Sequence, residues 1–123
     1  MIEPIKVTEA TFSAGVVHDG NHLVIRLTGT ADVTAQQHLE RLFDAAHAQA
    51  LGLGVSQVQV DLRELSFMNS SCIKDVLVWL EKVRNAEPRY LVTFLSSDAH
   101  PWQRRSLQAL KQFARGVVSI EAS

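Results

Sequence analysis

Val58-Gln-Val-Asp-Leu62, then Arg63-Glu-Leu65, then Ser66-Phe-Met-Asn-Ser-Ser-Cys-Ile-Lys74 contains the change of period that decides the fold. Val58, Val60 and Leu62 alternate with Gln57, Gln59 and Asp61, the two-residue repeat of a strand, and Arg63-Glu64 bounds the run. From Ser71 to Asn85 the apolar residues Ile73, Val76, Leu77, Leu80 and Val83 fall at three- and four-residue intervals instead, the stripe of an amphipathic helix. Ser70 or Ser71 stands where a hydroxyl oxygen would cap the first helical amides, and Pro88 ends the segment. A strand leading through a short polar connection into a helix is half of a βαβ unit.

The flanking segments keep the alternation. Downstream, Tyr90 to Leu95 is a continuous β-prone run, as expected of an inner strand covered on both faces. Pro101 suits the first turn of a third helix, whose stripe is Leu107, Leu110 and Ala114; Gly116 closes it, and Val117 to Ile120 forms a last short strand. Upstream, Leu39, Leu42, Phe43, Ala46 and Ala50 mark a helix over residues 34 to 51, with Thr34 and Gln37 as a capping box and Gly52 and Gly54 as the stop. Before it, Thr11 to His18 and His22 to Thr28 flank Asp19-Gly20-Asn21, whose turn chemistry makes a β-hairpin; Gly29 ends its second strand. The order is β-β-α-β-α-β-α-β, an α/β fold with an antiparallel hairpin first, a largely parallel remainder and helices packed on the sheet.

Size and composition narrow the function classes. The 123 residues fit a single domain, 1–123, and 46% apolar with 20% charged residues is the balance of an ordinary globular chain. Twelve Lys and Arg against thirteen Asp and Glu leave a net charge of −1, with no positive field to hold nucleic acid. Val76 to Leu80 and Tyr90 to Leu95 are far short of the ~20 apolar residues that span a bilayer. Met1 to Ala10, with Glu3, Pro4 and Glu9, has neither part of a signal peptide, so a cytoplasmic protein with no membrane partner is expected. Cys72, alone, forms no internal disulfide.

Catalytic patterns are missing from the sequence. Of His18, His22, His38, His47 and His100, only His18 and His22 stand to be neighbours, across the hairpin turn, and no third ligand joins them; His38 and His47 read as surface residues of a helix. There is no G-x-S-x-G, and Gly52 and Gly54 follow a helix rather than a strand, which is not the place of a phosphate cradle. Trp79 and Trp102 lie in amphipathic helices and are expected partly buried against the sheet. No enzyme, metal or cofactor is expected. The polar Ser66 to Lys74 connection is different: it lies where the carboxyl ends of strands meet helix N-termini, the functional edge of open α/β sheets. Its two adjacent hydroxyls, Ser70 and Ser71, read either as caps alone or as functional groups.

With these elements in order, the chain resembles the STAS domain, the module of anti-sigma factor antagonists and of the cytoplasmic tails of sulphate transporters. Leu23 to Gly29 is similar to the family's second strand ending in Gly, and Ala31-Asp32 to the Leu-Asp that opens its first helix. Val58 to Leu62 followed by Leu65, Phe67 and Met68 is similar to its strand and approach to the loop, and Asn69-Ser70-Ser71-Cys72 to its Asp-Ser-Ser/Thr-Gly. The resemblance implies a non-enzymatic protein-interaction module whose phosphoacceptor is Ser70, with Ser71 as the second candidate. Its partners would be a serine kinase with a histidine-kinase-like ATPase fold, doubling as anti-sigma factor, and a PP2C-type phosphatase. Asp32, Asn69, Ser70, Ser71, Cys72 and Lys74 would form the partner-binding surface. The chain departs from the pattern at two positions: Asn69 lacks the charge of Asp, and Cys72 replaces Gly, either as a small buried side chain or as a thiol activated at a helix start. A constitutive scaffold with unmodified serines is the alternative function.

Overall fold

The computed structural model describes residues 5–8 and 11–122. Six strands form one sheet in chain order: β1 (Ile5–Thr8), β2 (Phe12–Asp19), β3 (His22–Ala31), β4 (Gln57–Met68), β5 (Leu91–Ser96) and β6 (Val118–Ala122). The pairs β1–β2 and β2–β3 are antiparallel and every later pair is parallel, as the hairpin and the alternating periods predict. The helices are α1 (Gln36–Leu53), α2 (Ser70–Arg84) and α3 (Pro101–Phe113). Three parallel steps in one direction, each with the usual right-handed crossover, place all three helices on the same face. Leu23, Ile25, Leu27, Val58, Val60, Val92 and Phe94 are buried beneath them.

Among the described residues the other face of the sheet carries no helix, so the reading of β5 as covered on both sides holds at Thr93, 3% exposed, but not at the start of the strand. Leu91 is 52% exposed, while Val92 and Phe94 are fully covered. Polar ladders suit that face to water: Gln57 Nε2 donates to Thr93 Oγ1 at 2.5 Å, Thr93 and Ser119 hydroxyls share a bond of 3.0 Å, and Ser13 and Thr28 share one of 2.6 Å.

Two strand ends also differ from expectation, for one physical reason. β4 does not stop at Arg63-Glu64 but continues to Met68, because two extra residues are taken up as bulges, between the Arg26/Asp61 and Thr28/Glu64 pairs and between Gly29/Leu65 and Thr30/Phe67. A bulge resets the alternation, and the buried positions thereafter are Leu65 and Met68. Gly29 likewise does not end β3. At φ +91 it lets the chain pass so close to Thr11 that a Cβ would strike the Thr11 carbonyl oxygen, and Thr30 N–H donates to that oxygen at 2.8 Å. β1 has no counterpart in the sequence reading.

Helix starts were the other place where local patterns competed. A short 3-10 turn, Val33–Ala35, precedes α1, and Asp32 caps it, accepting from Thr34 N–H at 2.9 Å and from the Thr34 hydroxyl at 2.6 Å. Thr34 is thereby a donor to Asp32, and the Thr34/Gln37 capping box does not form. Gly54, in the left-handed region, is the stop of α1, and Gly52 lies inside the helix. Trp79 is not partly but fully buried: it stacks on Phe43 at 4.8 Å and donates from Nε1 to Tyr90 Oη at 3.0 Å. Tyr90 Oη lies 2.7 Å from His47 Nδ1, so His47 is a half-buried bridge from α1 to β5 rather than a surface residue. Within α2, Leu80 is fully buried and Leu77 only partly.

Candidate functional site at the β4 to α2 junction

Asn69 builds the junction. Its backbone is extended, its N–H donates to Ala31 O at 2.9 Å, and its side-chain Oδ1 accepts from Cys72 N–H at 3.0 Å. The N-cap of α2 is therefore Asn69, which corrects the assignment of that role to Ser70 or Ser71. Asn serves here as well as Asp would, because capping needs the oxygen and not the charge. Ser70 and Ser71 take the first two helical positions, both exposed, in the turn whose amides have no intrahelical acceptor.

Cys72, one position further, is fully buried. Its thiol points back to the carbonyl oxygens of Asp32, at 3.5 Å, and Ala31, at 3.7 Å. Burial above all, then the carboxylates of Asp75 and Asp32, push its pKa up to about 11, so the thiol stays protonated at neutral pH. Cys72 is the small buried side chain of the two alternatives. The expected direct partner contact by Cys72 is corrected: it holds the α2 start against the Ala31-Asp32 turn from beneath.

That stitching brings Asp32 beside Asn69. The Asp32 carboxyl is held below its usual range, first by the Thr34 hydroxyl and then by the Thr34 amide. Lys74 is exposed one turn beyond Ser70 and, with Ser71, Asp75, Gln36 and Glu40, lines a groove of about 320 Å³ between α1 and α2. In this groove Gln36 Nε2 donates to both Asp75 carboxylate oxygens at 3.0 Å. Burial raises the Asp75 pKa, the Gln36 bond opposes it, and Glu40 and Asp44 add to the rise.

Two apolar side chains missing from the sequence-derived surface flank the junction. Val33 is 74% exposed in the turn after Asp32, and Phe67 is 47% exposed at the end of β4. Phe67 was readable only as one more residue on the approach to the loop, since its outward aim comes from the second bulge. His18 and His22, in contrast, do not meet: the register sets His18 opposite Leu23 and His22 opposite Asp19, so they point to opposite faces. The arrangement as a whole is a partly apolar edge with two exposed hydroxyls at a helix N-terminus, suited to protein contact.

No protein-family model matches this sequence, and no curated protein matches it. Solved structures do match. An anti-sigma factor antagonist from Mycobacterium paratuberculosis superposes with a TM-score of 0.68 at 16% identity, over 85% of this chain and 84% of that one. The anti-sigma factor antagonist SpoIIAA in its unphosphorylated form gives 0.57 at 23% identity, over 77% and 81%. The Bacillus cell fate determinant SpoIIAA in the phosphorylated form gives 0.58 at 19%, over 88% and 90%. The chain thus has the fold of the anti-sigma factor antagonists, the STAS fold that its sequence resembles.

Proposed function

We propose that the protein is a non-enzymatic, cytoplasmic regulatory module that binds protein partners through the β4 to α2 junction and changes partners when Ser70 is phosphorylated. The observation that carries this reading is the division of labour at the junction: Asn69 does the capping, which leaves Ser70 exposed with its hydroxyl free for modification. Asp32, Asn69, Ser70, Ser71 and Lys74 belong to the contact surface, with Val33 and Phe67 adding apolar area. The partners are a serine kinase with a histidine-kinase-like ATPase fold, which transfers the γ-phosphoryl group of ATP to Ser70 Oγ, and a PP2C-type phosphatase that removes it. SpoIIAA, which shares this fold, is known in both phosphorylated and unphosphorylated forms, and that supports the same chemistry here.

The physics of the switch is local. Phosphorylation adds close to two negative charges where a partner would have to desolvate them, beside the apolar Val33 and Phe67. The free domain tolerates the same group, because the amides and positive dipole end of α2 favour an anion. Binding changes while the fold does not.

The test pairs the purified chain with the serine kinase of its own organism. Mass spectrometry is expected to find phosphate on Ser70, Ser70→Ala to bind but resist modification, and Ser70→Glu to weaken the complex by more than about 1 kcal/mol, with no cap lost because Asn69 holds that role. Phosphate on Ser71 alone would reassign the acceptor. No phosphate, together with Ser70→Glu binding like the unmodified chain, would establish the constitutive scaffold, a reading that the uncharged Asn69 favours.

A further inference from the structure

The two flanks of α3 differ. One closes on α2 in a tight apolar seam where Trp102, Leu107 and Leu110 approach Ile73 and Val76. The other borders a trough over the helix-side face of β6, the last strand of the sheet. Its upper part encloses about 600 Å³ between Arg104 and Lys111 of α3 and Ile120 and Ala122 of β6. Its lower part, about 370 Å³, shares Gln108 and Lys111 with the first and runs on to Arg115 and Val118. Ile120 is half-buried and Ala122 exposed, whereas the inward residues of β3 are fully covered.

Charge separates this flank from the rest of the molecule. Between Pro101 and Gly116 stand Arg104, Arg105, Lys111 and Arg115 with no carboxylate, in a chain of net charge −1. Arg104, Gln108 and Lys111 are spaced by four and three residues, so they form one stripe of α3 beside the buried Leu107 and Leu110, and Arg115, in the turn beyond the helix end, adds a charge at the lower part of the trough. Among the described residues neither Arg104 nor Lys111 makes an ion pair. Asp98, at the upper mouth, is the carboxylate that borders the trough.

We propose that this trough docks an amphipathic helix of a partner protein, apolar toward Ile120 and Ala122 and acidic toward Arg104, Lys111 and Arg115. The opening lies beside α3 in the helical layer, not in the plane of the sheet, so a helix fills it at the usual 8–10 Å spacing of neighbours, roughly, whereas an added strand would pair with the free edge of β6. The cationic stripe at helical intervals selects carboxylates at matching intervals on the occupant. The trough is separated from Ser70 by the body of α3, so this surface does not depend on the reading of the phosphoacceptor.

The test titrates the whole chain, at low ionic strength, into a fluorescent synthetic helix of about 18 residues with Leu at heptad positions a and d and Glu at e and g. The same peptide with Lys in place of Glu is the control. The Glu peptide is expected to bind about tenfold or more tightly than the Lys peptide, and the Arg104→Glu/Lys111→Glu variant to reverse that preference. These two positions are exposed, so the variant is expected to keep its circular dichroism spectrum. Absent or equal binding of the two peptides, or an unchanged preference in the variant, would overturn the proposal. So would undiminished binding of a Glu peptide interrupted by proline, which would make the occupant an extended strand, or a dimer of the free chain that Ile120→Asp dissociates.

Discussion

The β4 to α2 and β5 to α3 junctions lie side by side at the carboxyl edge of the sheet and hold their helices by opposite means. At α2 the cap is local: Asn69 takes the Cys72 amide, and the helix body is held by the apolar Cys72, Val76, Leu80 and Val83. At α3 there is no side-chain cap, since His100 makes none and Pro101 has no N–H to satisfy. Instead Gln103, 1% exposed, reaches into β4, donating from Nε2 to Leu62 O at 2.6 Å and Leu65 O at 3.0 Å, and accepting at Oε1 from Ser97 N–H at 2.9 Å. Those carbonyls are available because β4 pairs with β5 only as far as Asp61. The difference teaches that a polar residue can be used up as structure at one junction and left for chemistry at the next, and that the cap decides which.

The largest expected effect probes the apolar anchor of α2. Leu80→Ala is expected to cost about 4 kcal/mol in denaturant unfolding, whereas half-buried Leu77→Ala costs about 1 kcal/mol. Equal losses at the two positions would mean that the helix is rotated from the position described. Next comes the polar anchor of α3: Gln103→Ala leaves the Leu62 carbonyl and the Ser97 amide without this partner, while Leu65 O keeps the Trp102 indole N–H, and is expected to cost about 3 kcal/mol. A loss below about 1 kcal/mol would show that the α3 junction does not depend on this residue.

How much of this was legible in the sequence depends on whether the signal is periodic or reciprocal. The stripes of α1, α2 and α3, the hairpin at Asp19-Gly20-Asn21 and the start of α3 at Pro101 all follow from local repeats and turn chemistry. The bulges of β4 do not, because an extra residue is visible only against the partner strand, and with them went the aim of Phe67. Competing caps were equally unreadable. Asp32 with Thr34 and Thr34 with Gln37 are both legitimate patterns, as are Asn69 with Cys72 and a serine cap one residue later; packing of Ala31 against the junction chooses between them. The half-burial of His47 depends on Tyr90, which is distant in sequence. The site itself was legible as a place, at Ser66 to Lys74, but the roles within it were not.

A smaller pair of changes tests the caps directly. Asn69→Ala removes the oxygen from Cys72 N–H and is expected to cost about 1 kcal/mol, while Asn69→Asp keeps it. At the other junction the sign reverses: His100→Asp gives α3 the cap it lacks and is expected to raise stability by about 0.5 kcal/mol. If Asn69→Ala costs nothing, or His100→Asp destabilises, the contrast between the two junctions fails.

The smallest expected effect on stability carries the most information about function. Ser70→Ala and Ser71→Ala remove exposed hydroxyls from the first two positions of α2, where neither is the cap, and each is expected to change unfolding free energy by less than about 0.5 kcal/mol. Ser70→Glu places a negative charge at the positive end of the helix dipole and is expected to be neutral or to stabilise by about 0.5 kcal/mol, so weaker partner binding by that variant cannot be ascribed to a damaged fold. Chemical denaturation of the three variants beside Asn69→Ala separates the roles. A cost at Ser70→Ala equal to that of Asn69→Ala would make the serine part of the cap, and its hydroxyl would then be engaged in structure just as Gln103 is at α3.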